Sequence, residues 1–225
     1  MLYLSILFFI FSIISSFFIY KKCSVLEKSK DSVLPLYEIL VCTYKIPASI
    51  FYILPNIALF GSMLFLKFVD LNFSFTAVHE LIKIFAITQI GYYLICIDLK
   101  TFTIPNKITF PTILCLLIYC LLPPIFQWQS FISALIAFVI IFVLQIINPT
   151  GIGGGDAKLC AILGFMFTLY MDSIYFVLIG FILGGLTSIL LMTSKLISKK
   201  DFIPYGIYFY ISACILYILS CIMSL

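Results

Sequence analysis

Apolar runs close to twenty residues long follow one another along almost the whole chain, and they constrain its fold more than any single motif. A helix needs about 20 consecutive apolar residues to cross a bilayer. About eight such runs stand out: Leu2–Tyr20, Ile46–Leu66, Leu81–Ile97, Ile108–Ile125, Ser130–Ile147, Leu159–Tyr170, Ser173–Ser194 and Ile207–Met223. They are continuous instead of alternating, which argues against membrane strands. The chain is 64% hydrophobic and 10% charged, with a mean hydropathy of +1.26, the composition of an integral membrane protein. The expected fold is all-α: a polytopic transmembrane helical bundle of about eight segments. The sixth run is short and is expected to be half-buried, held by its neighbours. There is no internal repeat and no low-complexity tail.

The lysines set the expected orientation, since the chain has no arginine. Lys21, Lys22, Lys28, Lys30 and Lys45 lie between the first two runs. Lys100 and Lys107 lie between the third and fourth, Lys158 between the fifth and sixth, and Lys195, Lys199 and Lys200 between the last two. Lys67 and Lys83 alone fall on the other side, at or near the ends of runs. The positive-inside rule then turns the lysine-rich loops to the cytoplasm and leaves both termini outside. Met1–Tyr20 reads as a retained helix and not a secretory signal: no basic residue precedes its apolar run and no convincing cleavage pattern follows. The net charge of +4 reflects this topology and not an affinity for nucleic acid.

The eight cysteines make no metal framework. Cys96, Cys115, Cys120, Cys160, Cys214 and Cys221 fall in or beside apolar runs, where cysteine behaves as a small hydrophobe. Cys23 and Cys42 share the first cytoplasmic loop without a Cys-x-x-Cys pair, and the only histidine, His79, is expected at the opposite face. A structural zinc site takes about four ligands at characteristic spacing, so no metal is expected.

Two aspartates stand at the edges of apolar runs in a chain with only nine acidic residues: Asp98, in Ile97-Asp98-Leu99-Lys100, and Asp156, in Gly153-Gly154-Gly155-Asp156. An ionisable side chain at membrane depth costs at least ~2.5 kcal/mol, which makes it a functional candidate. Both are expected on the cytoplasmic side. The stretch from Asn148 to Asp156 is full of helix breakers, and glycine allows both positive φ and close approach of another backbone. Irregular backbone at that depth is tolerated where it is buried in protein or lines a wet cavity. Beyond Asp98, Ile104-Pro105-Asn106 makes the turn into the next helix. Two carboxylates brought together do not both ionise easily; they hold one proton between them and titrate as a unit. Desolvation at the membrane edge is expected to raise at least one of their pKa values toward neutrality, suiting general acid–base catalysis. The bland reading of the same residues is a helix cap at Asp156 and partners for Lys100 and Lys158 at the membrane boundary.

Gly153-Gly154-Gly155-Asp156-Ala157-Lys158-Leu159 resembles the Gly-x-Gly-Asp-x-Lys-Leu signature of the type IV prepilin peptidases, bacterial aspartic proteases of intramembrane type. Asp98 followed by Pro105-Asn106 and Lys107-Ile108-Thr109 is similar to that family's first aspartate segment, and Ile203-Pro204-Tyr205-Gly206 to the stretch opening its last helix. The resemblance covers roughly residues 90–225. It implies Asp98 and Asp156 as the catalytic pair, with Gly153, Gly155, Pro105, Asn106 and Lys158 in support, Lys158 as the one best suited to tune charge. It also implies cleavage of the leader peptide of type IV prepilins and pilin-like proteins at the cytoplasmic face of the bacterial inner membrane, with no cofactor for hydrolysis. The expected organisation is an N-terminal membrane region with the first loop (1–80) and a peptidase membrane domain (81–225).

Family members often carry two Cys-x-x-Cys pairs in the first loop and there methylate the new N-terminus with S-adenosylmethionine. This chain keeps only Cys23 and Cys42, and has Asn56 and Ile57 where an acidic residue is usual. Ser15-Ser16-Phe17 resembles the end of the family's first helix, without its Asn and Arg. Methyl transfer is therefore an open second activity. A preflagellin-type or presenilin-like protease also fits the two aspartates. The rival from another class is a proton-coupled transporter using both as proton carriers, although the paired halves typical of transporters are missing. A non-catalytic assembly factor has less reason to keep both carboxylates.

Overall fold

A computed structural model of the chain describes residues 10, 11, 13–19, 75–122, 126–149, 151–195 and 203–223. The expected segment Ile46–Leu66, Cys23, Cys42 and the lysines of the first loop lie outside them. All regular structure among the described residues is helical: α1 (within 10–19), α2 (Phe75–Thr101), α3 (Asn106–Leu121), α4 (Trp128–Ile147), α5 (Gly154–Gly164), α6 (Tyr170–Thr193) and α7 (Gly206–Met223). Three of the described helices are long and apolar enough to cross a membrane, over His79–Leu99, Trp128–Ile147 and Tyr170–Thr193. On α4 and α6, large apolar side chains such as Leu135, Phe142, Ile146, Ile182 and Ile189 point outward, as expected where lipid is the solvent.

The short helix α5 sits at the centre of the bundle. It packs closely on α4 and also touches α2, α3 and α7. Asp156, Ala157 and every residue from Leu159 to Gly164 are buried. The sixth run is thus short and held by its neighbours, but its helix starts at Gly154 and stops at Gly164. The apolar run continues past that point because Phe165, Met166 and Phe167 form a buried turn, with Phe167 stacked on Phe176 at 5.4 Å between centroids. Hydrophobicity alone does not mark where a helix gives way to a buried turn.

Apolar contact between helices gains little over contact with lipid, so close packing must hold such a bundle together. The seams are built on small residues. A Cβ at Gly164 would lie 2.6 Å from the Cα of Ala134, so α4 and α5 meet backbone to backbone. Gly180 and Gly184 of α6 receive the rings of Phe209 and Tyr205 from the α7 side, whereas a Cβ at the neighbouring Gly185 would meet nothing. Polar groups bind the rest. Tyr210 Oη donates to the Thr88 carbonyl at 3.1 Å, joining α7 to α2, and Ser212 Oγ donates to the Phe176 carbonyl at 2.7 Å. Ser15 and Ser16 both donate to Gln89 Oε1, docking α1 on α2.

Lys83 lies near the start of the span His79–Leu99, as its place in the sequence suggested, and the fold adds its surroundings: it is buried and stands 3.0 Å from Glu80. Its ammonium also donates to Gln127 at 2.7 Å and Ser130 at 3.4 Å, and Gln127 in turn donates to Glu80. One helical turn thus pairs the two charges, as their i,i+3 spacing on a helix allows.

Candidate active site

Asp98 comes from the last turn of α2. The helix runs on to Thr101 and is capped by Phe102, whose N–H donates to the Asp98 carbonyl at 2.8 Å. Phe102 is in the left-handed region, with φ of 51°. That conformation costs a non-glycine residue about 1–2 kcal/mol. Thr103 and Ile104 form no regular structure, and Pro105 caps α3 from the β region, its carbonyl accepting from the Ile108 and Thr109 amides. A helix starting on proline loses nothing, because the first amides have no intrahelical acceptor anyway.

Asp156 comes from the first turn of α5. The glycine run has a different reason from the conformational one: none of the described glycines has positive φ. Close approach is what requires them. A Cβ at Gly155 would stand 2.9 Å from the Ile104 Cβ, so the loop before α3 packs directly on the start of α5. Gly153 is the N-cap, and its N–H donates to Asp156 Oδ2 at 3.3 Å. Asp156 therefore reaches back from the third helical position and is not itself the cap.

The two carboxylates meet at one cavity of about 480 Å³, lined among others by Phe102, Ile104, Ile152, Gly153, Ile203 and Pro204. They are 6% and 9% exposed. A Cβ placed on Gly206 would lie 3.0 Å from Asp98 Oδ2 and 3.7 Å from Asp156 Oδ1, so these oxygens flank one point from two helices. Among the described residues no cation pairs with either carboxylate, and Asp98 Oδ2 has no hydrogen-bond partner. Burial pushes the Asp156 carboxyl up to about 6, against the opposing pull of the Gly153 amide.

The supporting residues divide into two groups. Gly153 and Gly155 shape the start of α5 beside the pair. Pro105, Asn106 and Lys158 form the α3–α5 seam: Lys158 Nζ donates to Asn106 Oδ1 and lies 5.3 Å from the centroid of Phe110. The Lys158 ammonium thus pairs with Asn106 and not with a carboxylate, as expected for a residue two positions from Asp156 on a helix. Gly206, at the start of α7, faces both carboxylates. Its sequence signal was the break Pro204-Tyr205-Gly206 before the last apolar run.

The fold and site define a helical membrane protein that presents a buried carboxylate pair to one recessed cavity. Residues 84–189 match the type IV leader peptidase family. The matched stretch contains Asp98, Asp156 and all five supporting positions. It indicates a protease with a type IV leader peptidase function. No curated protein and no solved structure matches the chain.

Proposed function

We propose that the chain is a prepilin leader peptidase that hydrolyses its substrate with the dyad Asp98–Asp156, acting at the cytoplasmic face of the membrane. The observation that carries this reading is the convergence on one cavity of two buried carboxylates that have no cation partner among the described residues. Its substrates are type IV prepilins or pilin-like proteins, whose extended leader enters beside the irregular stretch Pro149–Gly153.

The pair works with one proton held between its members. The ionised carboxylate takes a proton from water as that water attacks the peptide carbonyl. The protonated carboxyl donates to the carbonyl oxygen, giving a tetrahedral diol. As the diol collapses, the newly protonated carboxyl gives its proton to the leaving amine, the other carboxylate takes one from a diol hydroxyl, and the C–N bond breaks, so the dyad ends with the single proton it began with. Neither aspartate is assigned a fixed role, because the two titrate together. Phe102, Ile104, Ile152 and Ile203 supply an apolar wall that limits water around the pair. Methylation of the new N-terminus by S-adenosylmethionine stays an open second activity, because the first loop keeps only Cys23 and Cys42, both outside the described residues.

The test is cleavage of a prepilin substrate in membranes by wild type, Asp98→Asn and Asp156→Asn, followed by mass analysis of the new N-terminus. Both variants should insert normally and fail to cut. Full activity in either one removes the dyad. A mass increase of one methyl group would establish the second activity.

A further inference from the structure

Asp98 Oδ2 is a buried carboxylate oxygen without a described hydrogen-bond partner, and the position facing it is Gly206. A side chain there would begin 3.0 Å from Asp98 Oδ2, 3.1 Å from Leu159 Cδ2 and 3.7 Å from Asp156 Oδ1. A methyl group at that point is a wedge into the carboxylate pair. The start of α7 has little room to retreat from it. Tyr210 holds the helix to the Thr88 carbonyl, Ser212 holds it to the Phe176 carbonyl, and Phe209 fills the notch at Gly180. Pro204, two residues earlier, is itself buried and lines the cavity. With α7 anchored on two neighbours, the displaced groups are the Asp98 carboxylate and the Leu159 side chain.

The geometry points to Gly206 as a positioning residue of the carboxylate pair: the side chain it lacks is the space that lets the groups from α2 and α5 approach each other. This inference rests on the aspartyl-dyad reading above. It makes α7 a third contributor to the site, through the absence of an atom and not through a functional group. Coupling between two like charges falls as they separate. A wedge at Gly206 therefore weakens the sharing of one proton and draws the two ionisations of the pair together. A reaction that needs the singly protonated pair then runs over a narrower pH range.

The experiment compares wild type with Gly206→Ala and with Gly206→Ala/Leu159→Val, which relieves the apolar half of the crowding and leaves the carboxylate half. Infrared titration of the carboxyl stretch in the purified full chain, with Asp98→Asn and Asp156→Asn to assign the bands, reads the pair without reference to cleavage. The two titration steps of wild type should draw together in both Gly206 variants. Prepilin cleavage should fall about tenfold or more, with a narrower pH profile. Leu159→Val should not restore either property. An unchanged step separation in the variants overturns the inference whether or not the chain cuts, and so does restoration by Leu159→Val, which would make the effect simple packing. If wild type fails to cut, or if both aspartate variants still do, it is the proposed function that fails, and the infrared arm still decides the role of Gly206. If Gly206→Ala does not fold, the double variant carries the same comparison.

Discussion

Replacing Gly164 by alanine should damage the site from a distance. The new Cβ would start 2.6 Å from the Ala134 Cα, 3.0 Å from the Ala134 nitrogen and 3.0 Å from the Ser133 carbonyl oxygen. All three are backbone atoms, so no rotamer change relieves them. Carbon atoms rest about 3.5–4.0 Å apart, and the α4–α5 seam must open by roughly 1 Å. Overpacking of this kind costs about 1–3 kcal/mol. Gly164 lies two turns beyond Asp156, roughly 12 Å along α5, and the helix moves as a rod. Part of the opening is therefore delivered to the carboxylate, where a misplacement of about 1 Å costs about a hundredfold in rate. The expected result is a tenfold to hundredfold loss of prepilin cleavage, together with a lower thermal midpoint in detergent. Gly185→Ala is the internal control: its Cβ would meet nothing within 4 Å, so it should cut and melt like wild type or slightly better. If Gly164→Ala keeps wild-type cleavage and stability, or if Gly185→Ala is equally harmful, backbone contact at the α4–α5 seam is not what positions Asp156.

Three further outcomes follow from the geometry. Burial raises Asp156 from 3.8 to about 6, so on acidification the folded state takes up this proton before the unfolded chain does. The group should therefore add stability as the pH falls from about 6 toward 3.8, while cleavage, which needs one ionised carboxylate, declines below about 6; an acid limb near 4 in the rate profile would contradict this. Lys83→Met strips a buried partner from Glu80, which is itself 30% exposed, and should cost about 1–3 kcal/mol, part of it recovered by adding Glu80→Gln, as read by thermal unfolding. Phe102→Gly removes the strain of a left-handed phenylalanine and should stabilise by about 1 kcal/mol. Since that ring also lines the cavity, the same variant should cut more slowly, and equal activity would show that Phe102 contributes strain alone.

The long helices were readable because their apolar runs end at strong punctuation: Ile147 before Asn148-Pro149, and Thr193 before a lysine-bearing stretch. Asp98 and Asp156 were readable as a pair because acids are rare in this chain and both adjoin breaker-rich loops. What escaped the sequence depends on tertiary approach. The glycines ahead of Asp156 look like a loop, yet Gly154 and Gly155 belong to α5, because Ile104 leaves no room for a side chain at Gly155. Gly180, Gly184 and Gly185 are indistinguishable as letters, and only the aromatic face of α7 separates the two packed positions from the open one. Lys83 is legible as a charge near a segment end, whereas its burial against Glu80 and Gln127 is not. Nothing in the sequence brings Lys158 and Asn106 into one hydrogen bond.

The eleven residues of α5 also bear on how the enzyme comes into being. A helix of that length rises roughly 16 Å, about half the thickness of a hydrocarbon core. It is enclosed by α2, α3, α4 and α7, elements that come from both before and after it in the chain. Lipid alone gives such a segment no stable resting place, so Asp156 reaches its buried place beside Asp98 only once α7, the last of these elements, has packed against it. A chain still being inserted thus carries both aspartates before they share a cavity. On the aspartyl-dyad proposal, the nascent chain therefore stays inactive until its bundle is complete.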